Sequence, residues 1–172
     1  LVRELVRQWQ AYGLAPSTLM VDMEPRRELV EALSSLDLAK ALPAEHPTLA
    51  TSRNNIGRLL LDMGQYADAQ TELRRALDIG ERVYGAGNVS TAVIQANLGE
   101  AFARHGQHEK GRELLTLALA SLEGQFGASH VKLLDTLMQL GRLELADKRP
   151  REAGAIFERA ATIELAQIAR SG

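Results

Sequence analysis

Four histidines are the first side chains to test for chemistry. His105 and His108 flank Gly106 at three-residue spacing, while His46 and His130 stand far from them in the chain. Two imidazoles fall short of the three protein ligands of a catalytic zinc site and the four of a structural one. The absence of cysteine removes thiolates from the donor set. The histidines are therefore expected at turns and unit boundaries. An enzyme or nucleotide site would have to gather His105, His108 and Asp62 or Asp135 into one compact pocket. Ser90 and Thr91 have no neighbouring base that would activate a hydroxyl. Gly85-Ala86-Gly87 opens no helix with a phosphate-gripping Lys or Ser, and it recurs as Gly127-Ala128-Ser129, which marks both as connectors. No catalytic residue, metal or cofactor is expected, so the chain reads as a non-enzyme.

A second set of polar residues suits recognition instead. Asn54 and Asn55 sit beside the apolar Ile56, Asn97 repeats the second amide 42 residues later, and Gln139 follows after the same interval. An amide donates and accepts at once, so a ladder of them can hold the main chain of an extended peptide. The alternative is that they tie neighbouring helices together. Arg58 and Asp62 lie four residues apart, Glu100 and Arg104 reverse that order, and Arg142 aligns with Arg58 and Glu100. Such a mixed-charge lining selects a ligand by pattern rather than net sign. Its alternative is a set of exposed helix pairs worth about 0.2–0.5 kcal/mol each.

The elements that must position these residues are helices. Aromatics are 4% of the 172 residues and β-branched residues are scattered among Ala and Leu, which favours helix over sheet. The 42-residue interval extends well beyond the amides. Ile56-Gly57, Leu98-Gly99 and Leu140-Gly141 share it, as do Ala69, Gly111 and Ala153, then Leu73, Leu115 and Phe157, then Ala76, Ala118 and Ala160. Glycine inside a helix costs about 1 kcal/mol against alanine, so its recurrence points to close helix contact. Gly64-Gln65-Tyr66 and Gly106-Gln107-His108 break each period into an antiparallel pair, and at Lys148-Arg149-Pro150 the proline is expected to supply the stop. Pro47 can open a helix, and Asn88 is a conventional cap.

Residues 1–172 thus read as a single repeat domain: degenerate leading helices or a cap over 1–45, then repeats at 46–87, 88–129 and 130–170. A hairpin of this kind cannot bury both apolar sides alone, so stacking on its neighbours is required. A net charge of -2 disfavours nucleic acid and anionic membrane as partners. No apolar run approaches the roughly 20 residues of a membrane span, and the lack of cysteine fits a reducing, cytoplasmic setting. Because it starts at Leu1, the chain is read as part of a longer protein.

On these residues the sequence resembles the tetratricopeptide repeat family. The long 42-residue unit is similar to that of kinesin light chains and of bacterial multidomain regulators, as is the wording HPTLATSRNNIGRLL. Arg53 stands where the family often has a bulky aromatic, and Gly111 replaces the usual alanine. The resemblance implies an all-α, right-handed superhelical solenoid of helix hairpins whose first helices line a concave groove. It implies a protein-binding scaffold within a larger signalling or regulatory protein, holding a peptide or protein segment from another chain or from an intramolecular partner domain. Asn54, Asn55, Arg58, Asp62, Asn97, Glu100, Arg104, Gln139 and Arg142 are the expected contacts. The alternative is homo-oligomer formation through the end hairpins, around Val6 and Trp9 or Ile156 and Ile168.

Overall fold

The computed structural model describes residues 46–171, so the leading segment 1–45, with Val6 and Trp9, lies outside the described residues. Among the described residues six α-helices follow one another: α1 (Pro47–Asp62), α2 (Tyr66–Tyr84), α3 (Val89–Arg104), α4 (His108–Phe126), α5 (Leu134–Ala146) and α6 (Pro150–Ser171). A 3₁₀ turn, Val131–Leu133, leads into α5. Each odd-numbered helix packs on the even-numbered one after it, and that helix packs in turn on the next hairpin.

The starts of the three hairpins share one device. Asn88 Oδ1 accepts from the Ser90 backbone N–H at 2.8 Å. His46 Nδ1 does the same for Thr48, and His130 Nδ1 for Lys132, each at 3.2 Å. In the tautomer protonated at Nε2, Nδ1 offers a lone pair like that of an asparagine oxygen, so histidine satisfies one orphan donor of the first turn. The boundary histidines are thus capping groups.

The third hairpin turn corrects one expectation. Gly64 and Gly106 take left-handed backbone at φ 74° and 79°, and Lys148 is the one non-glycine described residue that does so, at φ 60°. Lys148 therefore does what glycine does earlier, and Pro150 opens α6 rather than stopping α5. Proline suits that first helical position because its missing N–H would have no partner there.

Mid-helix glycines bring paired helices into contact. A Cβ on Gly99 would lie 3.0 Å from the Gly111 carbonyl oxygen, and one on Gly111 would lie 2.9 Å from that of Gly99. α3 and α4 therefore meet backbone to backbone. At Gly57 and Gly141 the space is filled by the Leu73 and Phe157 side chains.

The apolar core runs along the stack. Ile56, Leu60 and Leu73 of the first hairpin join Leu98 and Phe102 of the second. Leu115 and Leu119 of the second then join Leu137 and Leu140 of the third. Burying side chains of this size contributes about 1.5–3 kcal/mol each, and here every hairpin needs its neighbour to achieve it.

Polar groups reinforce the junction of the second and third hairpins. Arg112 donates to Glu144 through Nε at 2.6 Å and through a second nitrogen at 3.1 Å, and it also bridges to Asp147. Glu144 is only 4% exposed, so this pairing is what makes its burial tolerable. His108 Nδ1 lies 3.0 Å from Asp147 Oδ1. The His108 hydrogen bond, with Arg112 next, holds the Asp147 carboxyl below its ordinary range.

Candidate binding groove

The leading helices lie side by side, α3 touching α1 on one flank and α5 on the other. Between them runs a groove of about 330 Å³. Its walls are Arg58, Leu61 and Asp62 from α1, and Val93, Ala96, Asn97 and Glu100 from α3. The third hairpin adds Lys132, Asp135, Thr136, Met138, Gln139 and Arg142, and α4 adds Leu122. A second cavity of about 390 Å³ shares Glu100, Gln139 and Arg142 and adds Ala103, Arg104, Leu143 and Ala146.

Of the nine expected contact residues, Arg58, Asp62, Asn97, Glu100, Gln139 and Arg142 line the first cavity and Arg104 the second. Asn54 and Asn55 line neither. Asn55 is exposed, whereas Asn54 is buried and its Oδ1 accepts from Asn97 Nδ2 at 2.8 Å. The front of one helix meets the back of the next, so the residues that face each other are not those at equivalent positions. Asn54 rather than Asn55 therefore meets Asn97, and this amide pair ties α1 to α3.

One hairpin later the pattern changes. Ala96 stands where Asn54 stood, so Gln139 has no amide opposite it. Its Nε2 instead donates to Glu100 Oε2 at 3.0 Å, and Glu100 also pairs with Arg104 at 3.7 Å. Gln139 Oε1 is buried and has no hydrogen-bond partner among the described residues. Arg104 further stacks over the Tyr66 ring, 5.1 Å from its centroid.

Arg58, Asp62, Asp135 and Arg142 line this groove without an ion pair or hydrogen bond among the described residues. The four-residue spacing of Arg58 and Asp62 does not produce a pair. Outside the groove, charged side chains are commonly matched, as in Arg53 with Glu72 at 2.7 Å and Arg159 with Glu123 at 2.6 Å. Four charges held in the open along one channel can meet charges or main-chain dipoles brought from outside.

The enzyme constellation is not assembled. His105 lies 3.1 Å from Gln70 Nε2, and His108 is engaged with Asp147, so neither joins Asp62 and Asp135 at the groove. Among the described residues no three His, Asp or Glu side chains are grouped to hold a metal ion, and no helix is long and apolar enough to cross a membrane.

Sequence reasoning missed Val93, Met138 and Lys132 as groove residues. Val93 and Met138 fall just off the buried stripe of their helices. That offset is their only signal, and it gains meaning once the helices are placed side by side.

Successive α-hairpins sharing a continuous core, with their first helices along one groove, define an all-α solenoid of paired antiparallel helices. The tetratricopeptide repeat family matches residues 48–123 and 90–164, and the chain belongs to that family. No curated protein matches it. Among solved structures it is similar to a Podosopora anserina protein described as a kinesin light chain with nearly identical TPR-like repeats. A single-substitution variant of that protein superposes at TM-score 0.74 with 25% identity over 98% of this chain and 75% of the other. The unsubstituted form gives TM-score 0.70 and 25% identity over 96% and 74%. BtubC (BKLC) from P. vanneervenii shares the fold at TM-score 0.65 and 21% identity, over 84% of this chain and 56% of that one.

Proposed function

We propose that this chain is a non-enzymatic protein–protein interaction scaffold that holds a peptide or protein segment in the groove along α1, α3 and α5, within a larger signalling or regulatory protein. The observation that carries this reading is the unmatched set Arg58, Asp62, Asp135 and Arg142 on one channel. Exposed charges of both signs give specificity through complementarity with little cost in the free state. A cytoplasmic setting and a bacterial multidomain origin complete the proposal, the latter supported by the wording of residues 46–60. Helix openings at Pro47 and Val89 and the 3₁₀ turn at Val131 support the 42-residue unit.

The test is a capture experiment with the intact chain and with the double variant Arg58→Glu, Arg142→Glu. Partners held by the wild type should be lost by the variant while helicity and melting temperature stay the same. Retention of the same partners by the variant would sink the reading.

A second reading is self-association through α6, favoured by Leu165 and Ile168, which are 66% and 63% exposed. It expects a mass that rises with concentration in light scattering and falls back to the monomer with Leu165→Asp.

A further inference from the structure

We infer, resting on the peptide groove proposed above, that the ligand is an extended segment with one carboxylate side chain flanked by two basic ones, three residues away in one direction and two in the other. The carboxylate lies between Arg58 and Arg142, and the basic groups meet Asp135 and Asp62. This narrows the partner from any extended chain to one with a defined charge pattern.

The arginines set the centre. Arg58 of α1 and Arg142 of α5 stand two periods apart at the same place in the repeat. Both are exposed on one groove, without an ion pair or hydrogen bond among the described residues. The residue of α3 at that place is Glu100, but it is already held by Gln139 Nε2 at 3.0 Å and by Arg104 at 3.7 Å. Lys132, the remaining cation of this cavity, lies over the Phe126 ring, 5.4 Å from its centroid. Two guanidiniums on one channel repel each other, and a carboxylate between them replaces repulsion with attraction. Each guanidinium also presents a fork of donors that fits a carboxylate.

The carboxylates set the spacing. The leading helices run in the same direction, because each is followed by an antiparallel partner, so places along one can be compared with places along another. Asp135 lies seven residues before Arg142, two turns back on the groove side of α5, a distance of about 10 Å. Asp62 lies four residues after Arg58, about 6 Å further along α1. Both are exposed and neither has a partner among the described residues. Along the helix direction the free charges therefore run negative, doubly positive, negative. An extended segment advances about 3.3 Å per residue, so three residues span the longer gap and two the shorter. The two basic side chains then point to opposite sides of the segment, because side chains alternate and the separation is odd. Asp135 and Asp62 require that, since α5 and α1 stand on opposite flanks of α3. A ligand with charges of one sign would set some of them against like charge, which selects against it.

The experiment selects a displayed library of random short peptides on the intact chain and measures the enriched peptides by fluorescence polarisation. They should share one Asp or Glu with Lys or Arg at the two offsets, and their affinity should fall as salt is raised. Changing the shared carboxylate to Lys should weaken binding to the wild type about tenfold or more, and should strengthen binding to the Arg58→Glu, Arg142→Glu variant. Changing both basic residues to Gln should weaken binding to the wild type about fivefold, yet leave binding to the Asp62→Asn, Asp135→Asn variant unchanged. Both variants should keep the circular dichroism of the wild type. Enriched peptides that depend on Arg58 and Arg142 but carry no basic residue at the two offsets would overturn this inference and leave the groove reading standing. So would equal losses on the wild type and on the Asp62→Asn, Asp135→Asn variant when the basic residues become Gln. Peptides indifferent to every groove substitution, or no enrichment at all, would overturn both the inference and the groove reading.

Discussion

Glycine has opposite meanings at two places in this chain. At Gly99 a methyl group would meet the Gly111 carbonyl oxygen at 3.0 Å and Leu115 Cγ at 2.9 Å, so α3 and α4 would have to separate. At Gly154 in α6 nothing lies within 4 Å of an added Cβ. Gly154→Ala should therefore raise stability by about 1 kcal/mol through helix propensity alone. Gly99→Ala should lower it by about 1–2 kcal/mol despite the same gain, because overpacking outweighs propensity. Denaturant unfolding of the two variants checks the contrast, and equal shifts would refute the backbone contact. Lys148 offers the complementary case, since its left-handed φ of 60° strains any residue with a Cβ. Lys148→Gly should stabilise by about 1 kcal/mol, read as a higher urea midpoint.

At the scale of elements, the junction between α4 and α5 depends on charge more than the other contacts do. Arg112 binds both Glu144 and Asp147, and His108 adds a hydrogen bond to Asp147. Because these contacts lower the Asp147 value in the folded chain, its stabilising contribution is complete above the ordinary carboxylate value of 3.8 and is lost as pH falls through the depressed value. Asp147→Asn should therefore melt lower than the wild type at neutral pH. The two melting curves should converge in acid, as pH drops below about 4. A gap that stays constant with pH would show that the carboxylate charge is irrelevant to the junction.

For the whole molecule, stability is a property of neighbours. Leu137 of α5 is 1% exposed and belongs to the cluster that also holds Leu115 and Leu119 of α4. Leu137→Ala should cost about 2–5 kcal/mol. Hydrogen exchange should show protection falling first in α5 and α6, then in α4, with α1 least affected, as expected when each hairpin contacts only those beside it. Uniform loss of protection across all six helices would mean that the hairpins form one indivisible unit.

The sequence by itself determined the helices, their pairing and the order of the stack. Those features follow from local signals that repeat: apolar residues at helical spacing, glycines at fixed places, a cap at Asn88 and histidines at the unit boundaries. Period and propensity act within a few residues of the chain, so they can be read without coordinates. Only the tertiary structure decided which amides face each other, because front and back flanks of adjacent helices meet out of register. Asn54 was thereby drawn into a bond with Asn97, and Asn55 was left outside the groove. The same packing left the oxygen of Gln139 buried without a partner among the described residues and brought Val93 and Met138 onto a shared groove, a consequence of two helices lying together that neither helix's own sequence contains.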